Sequence, residues 1–281
     1  MTGQGSLAVV GTPIGNLADL SPRAADALRD ADLVACEDTR RTAVLLRHAG
    51  SEAPMLALHQ HNEAGRAADL VARMRDGARV ALVSDAGMPL VSDPGARLVR
   101  AALDAGLPVS VVPGPSAVTA ALAASGLAGE GGFVFLGFAP RRPAERRRLA
   151  ERLAGLDVPA VAFESPRRLP ALLAELAAAL PDRQVAVCRE LTKVHEEVVR
   201  GTAAEVAERF AEAPRGEVAV VVGAAPAAAA PDDARLDEVL ALLRDAGLGS
   251  GRAADVAAAL GVASRNAAYR RALGGGAGAP H

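Results

Sequence analysis

Residues 79–95 read RVALVSDAGMPLVSDPG. An unbroken apolar run, Val80–Val83, is followed by two Ser-Asp pairs, two glycines and two prolines. That composition excludes a helix, and a hairpin turn needs far fewer residues. The run has the length and apolar continuity of a strand covered on both faces. The rest reads as a rigid, carboxylate-bearing loop at the strand's carboxyl end.

The same pattern recurs outward from it. Leu7–Val10 runs into GTPIGN, LVAC (33–36) into EDTRRT, and VSVV (109–112) into PGPSA. Helices are expected between these strands: from Ser21-Pro22 to about Asp30, on to about Ala49, from an Asn62 cap through Met74, from about Pro94 to Ala105, and from Ser116. Short apolar strands alternating with helices indicate a parallel sheet covered on both faces. The second half opens with FVFLGF (133–138) and continues through a charged helix (143–154), strand AVAF (160–163), helix 168–179, strands QVAVC (184–188) and EEVVRG (196–201), helix 203–212 and strand EVAVVV (217–222). Adjacent strands with no helix between them imply antiparallel pairs and a mixed sheet. The expected architecture is α/β, with two α/β domains and a short helical C-terminal segment. The boundaries are 1–125, 126–225 and 226–281. Gly126–Gly132, with three glycines in GEGG, reads as the link between the first two, AAPAAAAP (224–231) as a linker, and GGGAGAPH as a disordered tail.

Composition narrows the function. No apolar run approaches the ~20 residues that span a bilayer, and MTGQGSLAVVGT lacks the basic-then-apolar pattern of a signal peptide. Cys36 and Cys188 stand far apart inside expected strands and read as buried thiols. A cytoplasmic protein is expected. The net charge of −2 argues against a general nucleic-acid coat and leaves room for local basic patches. Of 31 basic residues only Lys193 is lysine. In a chain so biased to arginine, a surviving lysine marks a position where an amine that can lose its proton is wanted.

In a parallel sheet, ligands bind beyond the carboxyl ends of the strands, so GTPIGN, CEDTRRT, SDAGMPLVSDPG and PGPSA share one rim. Asp85 and Asp93 offer acceptors for a hydroxyl or a cation; the competing reading, a helix cap, is stronger for Asp93, which precedes Pro94, than for Asp85. GTPIGN has neither dinucleotide-fingerprint nor P-loop spacing. His48, His59, His61, His195 and His281 form no metal-ligand set. RRPAERRRLAER (141–152) carries six arginines against two glutamates. With Arg40-Arg41 and Arg167-Arg168 it suits local docking of a phosphate-bearing polymer.

GTPIGNLADLSPRA, CEDTRRT, LVSDAGMPLVSDPG, VPGPSAV, FLGFAPRR, FESPRRL and CRELTKVHEEVVRGT occur in that order. Together they resemble the ribosomal RNA small subunit methyltransferase I family, strongly over residues 7–223 and more weakly into GRAADVAAALGVASRNAAYRRAL. The resemblance implies a tetrapyrrole-methylase-like class III enzyme that uses S-adenosylmethionine to methylate a cytidine ribose 2′-oxygen in the decoding region of small-subunit RNA. It also implies a homodimer, a cofactor folded into the cleft between two α/β domains, and no DNA or membrane partner. It carries cofactor contacts onto Pro13, Ile14, Asp85, Ala86, Gly87, Ser116, Ala117, Phe163, Glu164, Ser165, Leu191 and Thr192. Substrate contacts are expected at Asn16, Arg40, Arg41, Arg141, Arg142, Arg167 and Arg168. Lys193, near Glu190, is the expected base, provided that its pKa is lowered. The alternative is a charged Lys193 on a phosphate, with Asp85 or Glu190 as base. Competing readings are methylation of a tetrapyrrole or other small molecule, which Pro13-Ile14-Gly15-Asn16 disfavours, and a noncatalytic ribosome-binding protein.

Overall fold

The computed structural model describes residues 5–59, 62–129, 131–226, 233–263 and 265–273. His61, most of the alanine-proline stretch and the glycine-rich tail lie outside them. Residues 1–224 form one compact unit and 225–281 a second.

The first sheet is β1 (Ser6–Val10), β2 (Leu33–Cys36), β3 (Met55–Ala57), β4 (Arg79–Leu82) and β5 (Val109–Val112), in the order β3-β2-β4-β1-β5. Every pairing in it is parallel. Residue alternation along the strands builds two cores. Leu7, Val9, Leu33, Ala35, Val80 and Leu82 face α3 (Glu63–Arg75) and α4 (Ala96–Asp104). Val10, Val34, Cys36, Ala81 and Val83 face α1 (Pro22–Arg29) and α2 (Thr39–Ala49). Ser21 caps α1 as expected, its Oγ accepting from the Ala24 amide at 3.1 Å.

Two local expectations are corrected. Asn62 precedes α3 but makes no side-chain cap. Its Oδ1 accepts from the His59 amide and its Nδ2 donates to the Ala57 carbonyl, pinning the turn after β3, a strand the sequence reading did not anticipate. Asp93 does not cap α4 either. Buried Glu63 does so from α3, its Oε1 accepting from the amides of Gly95 (3.0 Å) and Arg97 (2.7 Å).

The chain then crosses to a second sheet at Pro113–Ser116. Helix α5 (Ala117–Ser125) lies on that sheet: Val118 and Ala121 pack on Val161, Ala186, Cys188, Ala219 and Val221. The sheet contains β6 (Val134–Phe138), β7 (Ala160–Glu164), β8 (Gln184–Arg189), β9 (Glu197–Thr202) and β10 (Val218–Val222), in the order β6-β7-β10-β8-β9. Only β6-β7 is parallel; β10 runs antiparallel to β7 and β8, and β8 to β9. Its other face is covered by α6 (Pro143–Ala154), α7 (Leu169–Ala179) and α8 (Ala203–Arg209). The fold is thus two α/β sheets, one parallel and one mixed.

In the second unit α9 (Asp233–Asp245), α10 (Ser250–Ala259) and α11 (Arg265–Ala272) pack around Leu236, Leu240, Ala254 and Ala257. Among the described residues no helix is long and apolar enough to cross a membrane.

Candidate active site

Because the first sheet is parallel, the loops after β1, β2, β4 and β5 leave the same edge, and close packing locks three of them together. A Cβ on Gly114 would lie 2.7–2.9 Å from backbone atoms of Gly11, so the loops after β1 and β5 touch through bare backbone. The Thr12 and Gly87 amides exchange hydrogen bonds with each other's carbonyls, and Thr12 Oγ1 donates to the Gly87 carbonyl. From the second sheet, the loop after β8 reaches the same place. Gly15 lies against the Lys193 stem and the Leu191 carbonyl, where a Cβ would come within 2.6–2.9 Å.

Backbone strain concentrates here. The described non-glycine residues with positive φ are Leu90, Ser92, Glu190 and Thr192, all in the loops after β4 and β8. Such conformations persist only where the surroundings enforce them.

These loops enclose a cleft of about 380 Å³. Of the residues expected to hold a cofactor, Ile14, Asp85, Ala86, Ala117, Phe163, Glu164, Ser165 and Leu191 line it. Pro13, Gly87, Ser116 and Thr192 are not among its lining residues. Arg41 is the only expected substrate residue lining the cleft. Arg40 pairs with Asp38 at 2.7 Å, holding that carboxyl at about 2, and Arg168 is tied to Glu164. Asn16 Oδ1 accepts from the Ala18 amide and so braces its own loop. Arg141, Arg142 and Arg167 are exposed, whereas Arg146 turns inward and donates to the Arg141 carbonyl.

Asp93, one of the two expected acceptors, lines the cleft as well; sequence reasoning missed Glu37, Phe138, Cys188 and Glu217, which also line it. A periodicity argument could have found Cys188, which continues the apolar alternation of β8. Of the two readings open for Asp93, acceptor and helix cap, its place in the cleft lining favours the acceptor. Burial, then repulsion from Glu37 and Asp85, pushes the Asp93 carboxyl up to about 6. Burial and Asp85 also raise Glu37. Burial pushes the Cys188 thiol up to about 11, so it is an inert wall residue. Asp85 is occupied: its Oδ1 accepts from the Asp38 amide at 3.0 Å, and Oδ2 lies 3.7 Å from Arg41 Nε. Glu164 is buried and its Oε2 has no partner.

The condition attached to Lys193 as a base is not met. Its Nζ donates to Glu190 at 2.8 Å and to Glu217 at 2.9 Å. Burial alone pulls the ammonium pKa down, but the two carboxylates together outweigh it and the net shift is upward. Lys193 in turn lowers the pKa of Glu190.

Two α/β sheets enclosing an acid-lined cleft define a class. The profile described as Tetrapyrrole (Corrin/Porphyrin) Methylases matches residues 6–207. A solved uroporphyrin-III-C-methyltransferase from Thermus thermophilus shares the fold at 24% identity and a TM-score of 0.57, over 78% of this chain and 94% of that one. The enzyme has also been solved with S-adenyl homocysteine, with 22% identity, a TM-score of 0.55 and 78% and 97% coverage. At greater identity, a Ribosomal RNA small subunit methyltransferase I from Mesorhizobium japonicum is 45% identical over 95% of this chain and 91% of its own length. Its namesake from Thermotoga maritima is 44% identical over 78% and 98%. The chain belongs to the ribosomal RNA small subunit methyltransferase I family.

Proposed function

We propose that this protein transfers a methyl group from S-adenosylmethionine to small-subunit ribosomal RNA, at the 2′-oxygen of a cytidine ribose in the decoding region. The observation that carries the reading is the 45% identity, across nearly the whole chain, to a protein named Ribosomal RNA small subunit methyltransferase I; the cytidine 2′-oxygen is what the sequence resemblance implies.

The residues present fit the cofactor. Its sulfonium and ammonium groups are cationic, and Glu37, Asp85, Asp93 and Glu164 line the cleft. The unpartnered Glu164 Oε2 is a buried acceptor in need of a donor. Ile14, Ala117, Phe163 and Leu191 supply apolar wall. When bound, the cofactor supplies a methyl already activated on sulfur.

The protein's task is alignment and proton removal. A ribose hydroxyl must lose its proton as its oxygen forms the bond to carbon. Asp93 is the acceptor: a carboxylate held near 6 has the affinity for a proton that a base working near neutrality needs. Asp85 is committed to the Asp38 amide and Arg41, and Glu190 to Lys193. Lys193 stays charged and holds the loop after β8 against Glu217. Arg41 and the exposed arginines contact phosphate. The resemblance supports extending the reading to a cytoplasmic homodimer; sedimentation tests the dimer.

The deciding experiment incubates the purified protein and labelled cofactor with small subunits, with their deproteinised RNA and with a tetrapyrrole. Mass mapping should place label on one cytidine ribose. Label only on the tetrapyrrole, or none with cofactor bound, would overturn the proposal.

A further inference from the structure

Among its 281 residues the chain has five phenylalanines, one tyrosine and no tryptophan, and three of the phenylalanines meet beside the cleft. The Phe163 ring centroid lies 5.0 Å from that of Phe135 and 5.7 Å from that of Phe138, both edge-on. Phe135 is partly buried against the core under α5. Phe138 lines the cleft and is 58% exposed.

Strict strand alternation would not put Phe138 there. Leu136 faces the α6–α8 side, so Phe138, two residues on, should face it too. Instead the register of β6 on β7 slips between Phe135, opposite Val161, and Phe138, opposite Phe163. Gly137, within the slip, adopts φ +69°. The irregularity turns Phe138 to the Phe135 face, as bulges that re-aim a side chain do. A large apolar ring left more than half in water gives up the stabilisation of burial. The register slip at Gly137, not burial, therefore sets where the ring points.

The surroundings indicate what would cover the ring. Its edge-on contact with Phe163 restrains it and leaves surface for a flat partner. Arg41, 60% exposed, lines the same cleft, and the exposed Arg141 and Arg142 follow Phe138 closely in the chain. The carboxylates inside repel phosphate, so a nucleotide would keep its phosphates at the arginines and turn its base inward. A planar apolar surface bordered by cations is the chemistry of single-stranded nucleic-acid binding.

We propose that Phe138 is a substrate-positioning residue, the platform on which the base of the target nucleotide stacks so that its ribose hydroxyl faces the cleft. This rests on the RNA reading above. Stacking is sequence-tolerant, so Phe138 sets the depth and orientation of the base rather than its identity.

The absence of tryptophan makes the test direct, because Phe138→Trp introduces the sole tryptophan, whose emission is excited selectively over that of Tyr269. The probes are a short single-stranded RNA with the target cytidine, the same RNA abasic at that position, and S-adenosylhomocysteine. The intact RNA should quench the emission; the abasic RNA and S-adenosylhomocysteine alone should not. Phe138→Ala should bind RNA about 10- to 100-fold more weakly, with KM raised more than kcat falls and S-adenosylhomocysteine affinity unchanged. Phe138→Trp should restore RNA affinity. Quenching by S-adenosylhomocysteine alone would assign the ring to the cofactor. A change in sedimentation without a change in RNA affinity would assign it to a second copy of this chain. Either result, or unaltered RNA affinity in Phe138→Ala while the wild type methylates RNA, overturns the inference. A wild type that methylates no RNA overturns the underlying function itself.

Discussion

Asp93 carries a raised pKa because burial disfavours its charge and Glu37 and Asp85 repel it. Between the ordinary value of 3.8 and about 6 the folded chain holds this proton more tightly than the unfolded chain does. Its contribution to stability is therefore fully present below pH 3.8 and is lost as the pH rises through about 6. Asp93→Asn should unfold at higher urea than the parent at pH 8, with the advantage gone near pH 4. If Asp93 accepts the proton, the methylation rate falls by ~10²–10⁴ in the variant, and the rise of the parental rate through about pH 6 disappears. A wild-type pH profile in Asp93→Asn would return the base role to another group. Lys193 has the opposite electrostatics, a cation held charged by two carboxylates. Lys193→Met leaves Glu190 and Glu217 without it and should cost about 1 kcal/mol, screening by solvent keeping the loss small. Lys193→Arg should keep more stability and rate than Lys193→Met. Single-turnover assays in which arginine fails as badly as methionine would revive a proton-accepting lysine.

At the scale of elements, the loops after β1 and β5 approach because both meeting residues are glycine. Gly114→Ala puts a methyl 2.7–2.9 Å from Gly11 backbone atoms, which cannot swing aside as a side chain can. The loops must separate, at roughly 1–3 kcal/mol, and calorimetry should show cofactor affinity weakened by about tenfold or more, since a shift of 1.4 kcal/mol is tenfold. Gly65 in α3 is the control, because nothing lies within 4 Å of its added Cβ. Gly65→Ala should stabilise the helix by about 0.5–1 kcal/mol and leave binding unchanged. Equal effects of the two substitutions would show that the glycine contact does not shape the cleft. Element existence was largely legible because each strand is an apolar run bounded by turn residues. The weak exception, β3, has only three residues, too few to show a period.

Across the whole molecule the net charge of −2 conceals a division between an acid-lined cleft, with Arg41 in its lining, and exposed arginines outside that lining. Exposed Arg141, Arg142 and Arg147 are the ones to remove, since Arg146 is structural. Their triple alanine variant should lower the slope of log affinity for RNA against log salt by about 2, roughly 0.7 per single-strand phosphate contact, with cofactor affinity unchanged. An unaltered slope would make the run a solvated helix face. By itself the sequence determined the strand–helix alternation, one parallel and one mixed sheet, and the loops at the strands' carboxyl ends. These follow from local composition and period. Only the tertiary structure decided that Glu63 caps α4, that α5 lies on the second sheet, that Lys193 is held charged and that Asp93 faces the cleft. Only it showed that a register slip turns Phe138 to the same cleft. Each depends on which side chains meet across long separations in the chain, and on the burial and charge that result. No local pattern encodes those quantities.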